Sequence, residues 1–307
     1  MGIKKRLGEF NLTHPGIYSI YKRSPLGRFR AMQYKLLVFQ WCEESKEKIR
    51  QSGKCIIDMN GVKLKVDPLS NHDLEMYHMW MSNEIYEPND LPFLSEIMKH
   101  SFNLAEIGAN NGYYAILGAK KVKGTVHAFE PDKYSYLRLI ENIKLNGIAN
   151  VKTYNIALSD SGGEMTFYRS DLEDGSNTLI PMDGAISSNK VKVDTLDNVL
   201  GDAKVDFIMM DVEGYEEEVL KGASEHLEDS PIVFFEFNRD SLAMRKKHPD
   251  ILLSCLQRYG YEIYLPTVEG KLRRIRSQKD LPYIVVNLFA FKDLPDYLQE
   301  YQVDELR

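Results

Sequence analysis

The stretch Leu104-Ala105-Glu106-Ile107-Gly108-Ala109-Asn110-Asn111-Gly112-Tyr113-Tyr114 constrains this chain more than any other part of it. An apolar run of strand length reaches one glycine, a second follows four residues later, and a helical pattern begins at once. Glycine adopts the positive φ of a sharp strand-to-helix turn and lets the backbone approach a ligand. In an open α/β sheet such turns sit at the carboxyl ends of the strands, where nucleotide-like ligands bind. From Phe102 onward, strand-length apolar runs alternate with longer helical patterns, which is the signature of βαβ units and a parallel sheet.

The spacing predicts strands over Phe102–Gly108, Thr125–Glu130, Val151–Ser159, Asp206–Asp211 and Pro231–Phe237. It predicts helices over Tyr113–Val122 and from Pro131 through Asn146, the second stopped by Gly147. Glu164–Arg169 and Lys190–Val193 read as shorter strands around a polar loop, and Tyr261–Leu265 with Tyr283–Phe291 as an antiparallel pair closing the sheet. Upstream, Cys55–Val66 alternates about Asn60-Gly61, a hairpin signal, and a Met-rich helix over His72–Met81 precedes a turn at Tyr86–Asp90. The expected fold is a three-layer α/β, Rossmann-like sheet, mostly parallel with an antiparallel last strand. Its domain is placed at residues 101–292, after an N-terminal extension (1–100) and before a short tail (293–307).

The loop spacing separates two cofactors. A dinucleotide fingerprint wants GxGxxG, whose third glycine brings the helix up to a pyrophosphate. Here the pattern is Glu-x-Gly-x-x-x-Gly, and Glu106 would repel a pyrophosphate but attract a cationic amino-acid head. Glu130 ends the next predicted strand, where a carboxylate can accept both hydrogen bonds of a ribose diol. S-adenosylmethionine is therefore favoured over NAD, with Glu106, Gly108, Ala109, Asn110, Gly112, Glu130, Pro131 and Asp211 as the expected contacts.

A family resemblance enters at these residues. "AEIGANNGYYA", "VHAFEPD", "ENIKLNG", "VDTLDNVL", "IMMDVEGYEEEVLKGA" and "PIVFFEFN" follow one another in an order and spacing that resemble the FkbM-type methyltransferases, a branch of the class I S-adenosylmethionine-dependent fold. The resemblance runs from about Tyr86 to Phe291. It departs at Glu106, where the family usually carries Asp. It implies an O-methyltransferase acting on a hydroxyl of a sugar, glycolipid or secondary metabolite, so a small-molecule or glycan acceptor is the expected partner.

Asp211-Val212-Glu213-Gly214 ends an apolar strand and begins a helix, while Glu236 and Asn238 end the neighbouring strand. An alcohol is a weak nucleophile until a base takes its proton, and a positioned carboxylate can contribute roughly 100- to 10,000-fold. Asp211 is the first choice for base or substrate orienter, with Glu213 and Glu236 sharing the site. Glu213 could instead join Glu216–Glu218 as negative charge at a helix N-terminus. Asp211, Glu236 and Asn238 also form an oxygen set suited to a hard divalent cation, but nothing in their spacing requires one.

Composition bounds the other classes. With 39 basic against 45 acidic residues the chain carries −6, a poor match to nucleic acid. No run approaches the roughly 18 apolar residues of a membrane span. Leu36–Cys42, the best local run, lacks a small-residue cleavage site, and the three cysteines form no CxxC pair, so a cytoplasmic location is expected. The charge is uneven. Residues 1–40 hold Lys4, Lys5, Arg6, Lys22, Arg23, Arg28, Arg30 and Lys35 against Glu9 alone, which gives this arm +7 and leaves −13 for the remainder. With Phe10, Tyr18, Tyr21, Phe29 and Tyr34 interleaved, the arm reads either as a surface helix packing on that acidic remainder or as a contact with an anionic membrane surface. Other readings are a nicotinamide-dependent oxidoreductase, which the loop spacing disfavours, and a non-catalytic cofactor-binding scaffold, which Asp211 and Glu236 argue against. No motif encodes the acceptor; the loop Asp171–Asn189 and the N-terminal region are expected to choose it.

Overall fold

A computed structural model describes residues 25–169, 177–181, 187–281 and 285–303. The first 24 residues of the basic arm and most of the loop expected to face the acceptor lie outside the described residues. Residues 25–40 of the arm open a 28-residue helix, α1 (Pro25–Ser52). Among the described residues no helix is long and apolar enough to cross a membrane.

The hairpin forms at its expected turn. Strands β1 (Ile56–Met59) and β2 (Val62–Lys65) pair antiparallel, with Met59 opposite Val62. Asn60 and Gly61 between them both adopt positive φ, 53° and 79°, as a two-residue hairpin loop requires. Helix α2 (Asn71–Met81) follows, capped by the Ser70 side chain on the Asp73 N–H. Helix α3 (Leu91–His100), unforeseen in the sequence, buries Phe93, Leu94, Ile97 and Met98 on one face.

The central sheet begins with β3 (Leu104–Ile107), α4 (Tyr113–Ala119), β4 (Val126–Phe129), α5 (Lys133–Leu145) and β5 (Val151–Tyr154). A second, small sheet holds β6 (Ala157–Leu158), β7 (Gly163–Arg169) and β8 (Ser187–Asp194). Then come α6 (Leu196–Leu200), β9 (Phe207–Met210), α7 (Glu216–Lys221), α8 (Ser224–Glu228), β10 (Ile232–Asn238), α9 (Arg239–Met244) and α10 (Ile251–Arg258). The chain finishes with β11 (Glu262–Pro266), β12 (Leu272–Ile275), β13 (Val285–Phe291) and β14 (Gln302–Val303).

Nine strands lie in the order β14-β12-β11-β13-β10-β9-β3-β4-β5. The run from β10 to β5 is parallel, and β13 inserts antiparallel between β10 and β11. Two apolar clusters cover the two faces, which makes the domain three-layered. The order reverses between β3 and β9, so the loops after these strands open side by side at a topological switch point.

Some boundaries differ from the sequence reading. The strand expected over 151–159 breaks after Tyr154, because the Asn155 amide donates to the carbonyls of Glu130 (2.9 Å) and Pro131 (3.0 Å) and turns the chain out of the ladder. Ala157 and Leu158 then pair with β8 in the small sheet. The helix expected from Pro131 starts at Lys133, where the Asp132 carboxylate caps the Ser135 N–H.

Candidate active site

The glycine loop follows β3 and is tied down by backbone hydrogen bonds. The N–H groups of Gly108 and Ala109 both donate to the Phe129 carbonyl at 2.9 Å, which ties the loop to the end of β4. Asn110 takes a left-handed φ of 46°, and its N–H donates to Glu130 Oε2 at 2.8 Å. The other Glu130 oxygen accepts from the Asp132 N–H, also at 2.8 Å. Burial pushes the Glu130 carboxyl up to about 7, against the opposing pull of those two N–H groups. Burial, and secondarily the nearby Glu130 charge, raises Glu106 well above the ordinary carboxylate range. Glu106 Oε2 and Asn110 Oδ1 are buried beside the cavity without a hydrogen-bond partner among the described residues. Unpaired buried acceptors are rare, and two beside one cavity call for a donor from outside the chain.

This cavity, of about 200 Å³, is lined by seven of the eight expected cofactor contacts: Glu106, Gly108, Ala109, Asn110, Glu130, Pro131 and Asp211. Gly112 is not among its walls. Its φ of 90° turns the chain into α4, with the Leu139 side chain so close that a Cβ there would lie 2.5 Å from Leu139 Cδ1.

The acidic end is built by β9 and β10. Asp211 follows the last residue of β9, and its N–H donates to Ile107 O at 3.0 Å. The carboxylates of Asp211, Glu213 and Glu236 offer oxygens all within 4.8 Å of one another. Asp211 is exposed to the cavity, whereas Glu236 is buried. Burial, then the neighbouring Asp211 and Glu216 charges, drives Glu236 strongly toward its protonated form. Glu213 sits at a left-handed φ of 52°, with its carbonyl accepting from Thr178 Oγ1 at 3.0 Å. Glu213 also lines the cavity, beside the start of α7. Asn238 stands outside the trio: its Oδ1 accepts from the Ser241 N–H to cap α9, and its amide nitrogen reaches Glu236 at 3.4 Å.

Among the wall residues that the sequence reading does not assign to the site are Glu87, Asn287 and Met76. Glu87, in the turn before α3, accepts from the Tyr114 hydroxyl, is hydrogen-bonded by Asn287, and lies near Asp211; burial raises its carboxyl to about 7. Asn287 sits opposite Glu236 in the β10–β13 pair. A polar residue within the apolar run Val285–Phe291 was the available signal for Asn287. Met76, on α2, forms part of the wall beside the glycine loop, and nothing in the periodicity of its helix marks it as such.

The Methyltransferase FkbM domain matches residues 106–263, and the chain belongs to that family. It is 29% identical over 135 residues to the hexuronic acid methyltransferase AglP of Haloferax volcanii, covering 44% of this chain and 55% of that protein. It is 25% identical over 158 residues to the 2-O-methyltransferase NoeI of Sinorhizobium fredii, covering 45% of this chain and 64% of that one. The match thus spans less than two thirds of either relative's length. Among solved structures, TYW2 of M. jannaschii in complex with AdoMet aligns with a TM-score of 0.38 at 18% identity, over 78% of this chain and 86% of that chain.

Proposed function

We propose that this protein is an S-adenosylmethionine-dependent O-methyltransferase whose acceptor is a hydroxyl of a sugar, glycolipid or secondary metabolite. The observation that carries the reading is the junction of an acidic trio, Asp211, Glu213 and Glu236, with the glycine loop at one sheet edge. The chemistry of the walls fits the cofactor. On this reading Glu130 takes the ribose hydroxyls, and the oxygens of Glu106 and Asn110 that lack a partner among the described residues suit the methionine ammonium. When bound, S-adenosylmethionine supplies an electrophilic methyl group. On this reading Asp211, open to the cavity, accepts the proton of the acceptor hydroxyl, and protonated Glu236 donates a hydrogen bond that orients the acceptor. Glu213 completes the wall. The acceptor class rests on the family and on the sugar chemistry in the names of its relatives.

A divalent cation on the same three acids is a second reading, favoured by their 4.8 Å grouping. Such an ion would lower the pKa of a bound hydroxyl.

The function is tested by incubating the chain with methyl-labelled S-adenosylmethionine and separated glycan and glycolipid fractions. Label should enter one of these fractions, and S-adenosylhomocysteine should raise the melting temperature. Stabilisation by NAD and not by S-adenosylhomocysteine would overturn the assignment.

A further inference from the structure

We infer that Asp73, in the extension that precedes the family domain, is a positioning residue that holds the glycine loop in its binding shape through Asn111. The inference rests on reading that loop as the cofactor cradle. Asp73 is 2% exposed and Asn111 equally buried, yet they come from separate parts of the chain. Asp73 Oδ1 accepts from Asn111 Nδ2 at 3.0 Å. Its other oxygen accepts from the Arg138 guanidinium on α5 and from the Asp67 N–H. The Asn111 carbonyl is in turn held by Asn142 Nδ2 at 2.8 Å.

The loop is thereby pinned from two sides at consecutive residues. Glu130 holds the Asn110 N–H from the sheet, and Asp73 holds the Asn111 side chain from α2. Between them Asn110 keeps a left-handed backbone, with its Oδ1 buried beside the cavity and without a partner among the described residues. A left-handed residue other than glycine persists only where its surroundings determine it. Releasing Asn111 would let Asn110 relax and carry that oxygen away from its binding position. Arg138 fixes the Asp73 carboxylate itself, so the aim of the Asp73–Asn111 bond is set by a buried ion pair spanning α2 and α5. The family match begins at residue 106, so Asp73 lies outside the segment that defines the family.

The test is calorimetric titration of S-adenosylhomocysteine into the full chain and into Asp73→Ala, Asn111→Ala, the double variant and Asp73→Asn. Each is measured at a temperature where circular dichroism shows it folded. Loss of one buried hydrogen bond to a charged group predicts roughly tenfold weaker binding in each single Ala variant. The double variant should bind no more weakly than the weaker single, because both remove one shared interaction. Asp73→Asn keeps an oxygen for Asn111 and should recover affinity to within about threefold while still melting lower, since Arg138 loses its partner charge.

Wild-type affinity in Asp73→Ala, or losses that multiply in the double variant, would show that Asp73 only supports the fold and overturn the inference. If Asp73→Ala does not fold, Asn111→Ala decides, because it leaves the Asp73–Arg138 pair intact; wild-type affinity there overturns the inference equally. A wild-type chain that binds no S-adenosylhomocysteine would instead overturn the cofactor reading, and this inference with it.

Discussion

A Cβ placed on Gly108 would lie 1.9 Å from the carbonyl oxygen of Asp211. The first residue of the glycine loop and the proposed base are thus in backbone contact, and the two halves of the site are assembled as one unit across β3 and β9. Gly108→Ala should be severe, because the obstacle is main chain and φ is 90°. Left-handed strain of about 1–3 kcal/mol adds to a comparable overpacking cost. Urea unfolding should show several kcal/mol of lost stability. A variant within about 1 kcal/mol of wild type would mean that the strands separate easily there.

Glu130→Ala should weaken S-adenosylhomocysteine binding by about 1.5–3 kcal/mol, roughly tenfold to more than a hundredfold. Calorimetry that returned equal affinities would remove Glu130 from the ribose assignment.

Asp211→Asn retains the shape of the site and loses its charge. Turnover on the identified acceptor should fall about 100-fold or more, with cofactor affinity changed little. Normal turnover would exclude Asp211 both as base and as essential metal ligand. Full activity after exhaustive EDTA treatment would dispose of the cation separately, leaving the base reading in place.

Glu216 supplies a pH dependence outside the proposed proton-transfer path. Its carboxylate accepts from the Gly214 N–H at 3.0 Å, and burial raises it from 4.5 to about 7. The folded state therefore holds this proton more tightly than the unfolded chain does. Its contribution to stability is complete below the ordinary value of 4.5 and is lost as pH rises through about 7. Glu216→Gln keeps an acceptor for Gly214 without the titration. Between pH 5 and pH 8 it should lose less stability than wild type, by up to roughly 3 kcal/mol. Parallel denaturation profiles for the two proteins would refute the assignment.

The basic arm predicts salt-sensitive membrane contact. Leu36 and Phe39 on α1 are 60% and 66% exposed, at the end of the 1–40 arm whose sequence carries +7. Anionic vesicles should pellet the chain at low salt, less so at high salt and in a Leu36→Ser/Phe39→Ser variant, since each basic residue near such a surface contributes about 1 kcal/mol. No pelleting at low salt would leave the arm to the acidic core or to the acceptor.

The sequence by itself determined the parallel sheet, the hairpin at Asn60-Gly61, the glycine loop, and the placing of Glu130, Asp211 and Glu236 at strand ends. These follow from local rules: strand-length apolar runs, positive-φ residues at turns, and acids at or near the ends of buried strands. Other features depended on contacts between segments far apart in the chain. Asn238 looked like a cation ligand until α9 claimed its oxygen as a cap, and the strand after Asn150 looked continuous until Asn155 bonded back to the end of β4. Glu87 reaches the site only because α3 packs beneath the sheet and sets the preceding turn against Tyr114 and Asn287. Asp73 meets Asn111 across 38 residues through the docking of α2 on the glycine loop. Periodicity records which way a side chain faces its own element; which partner it meets there is decided when the elements pack.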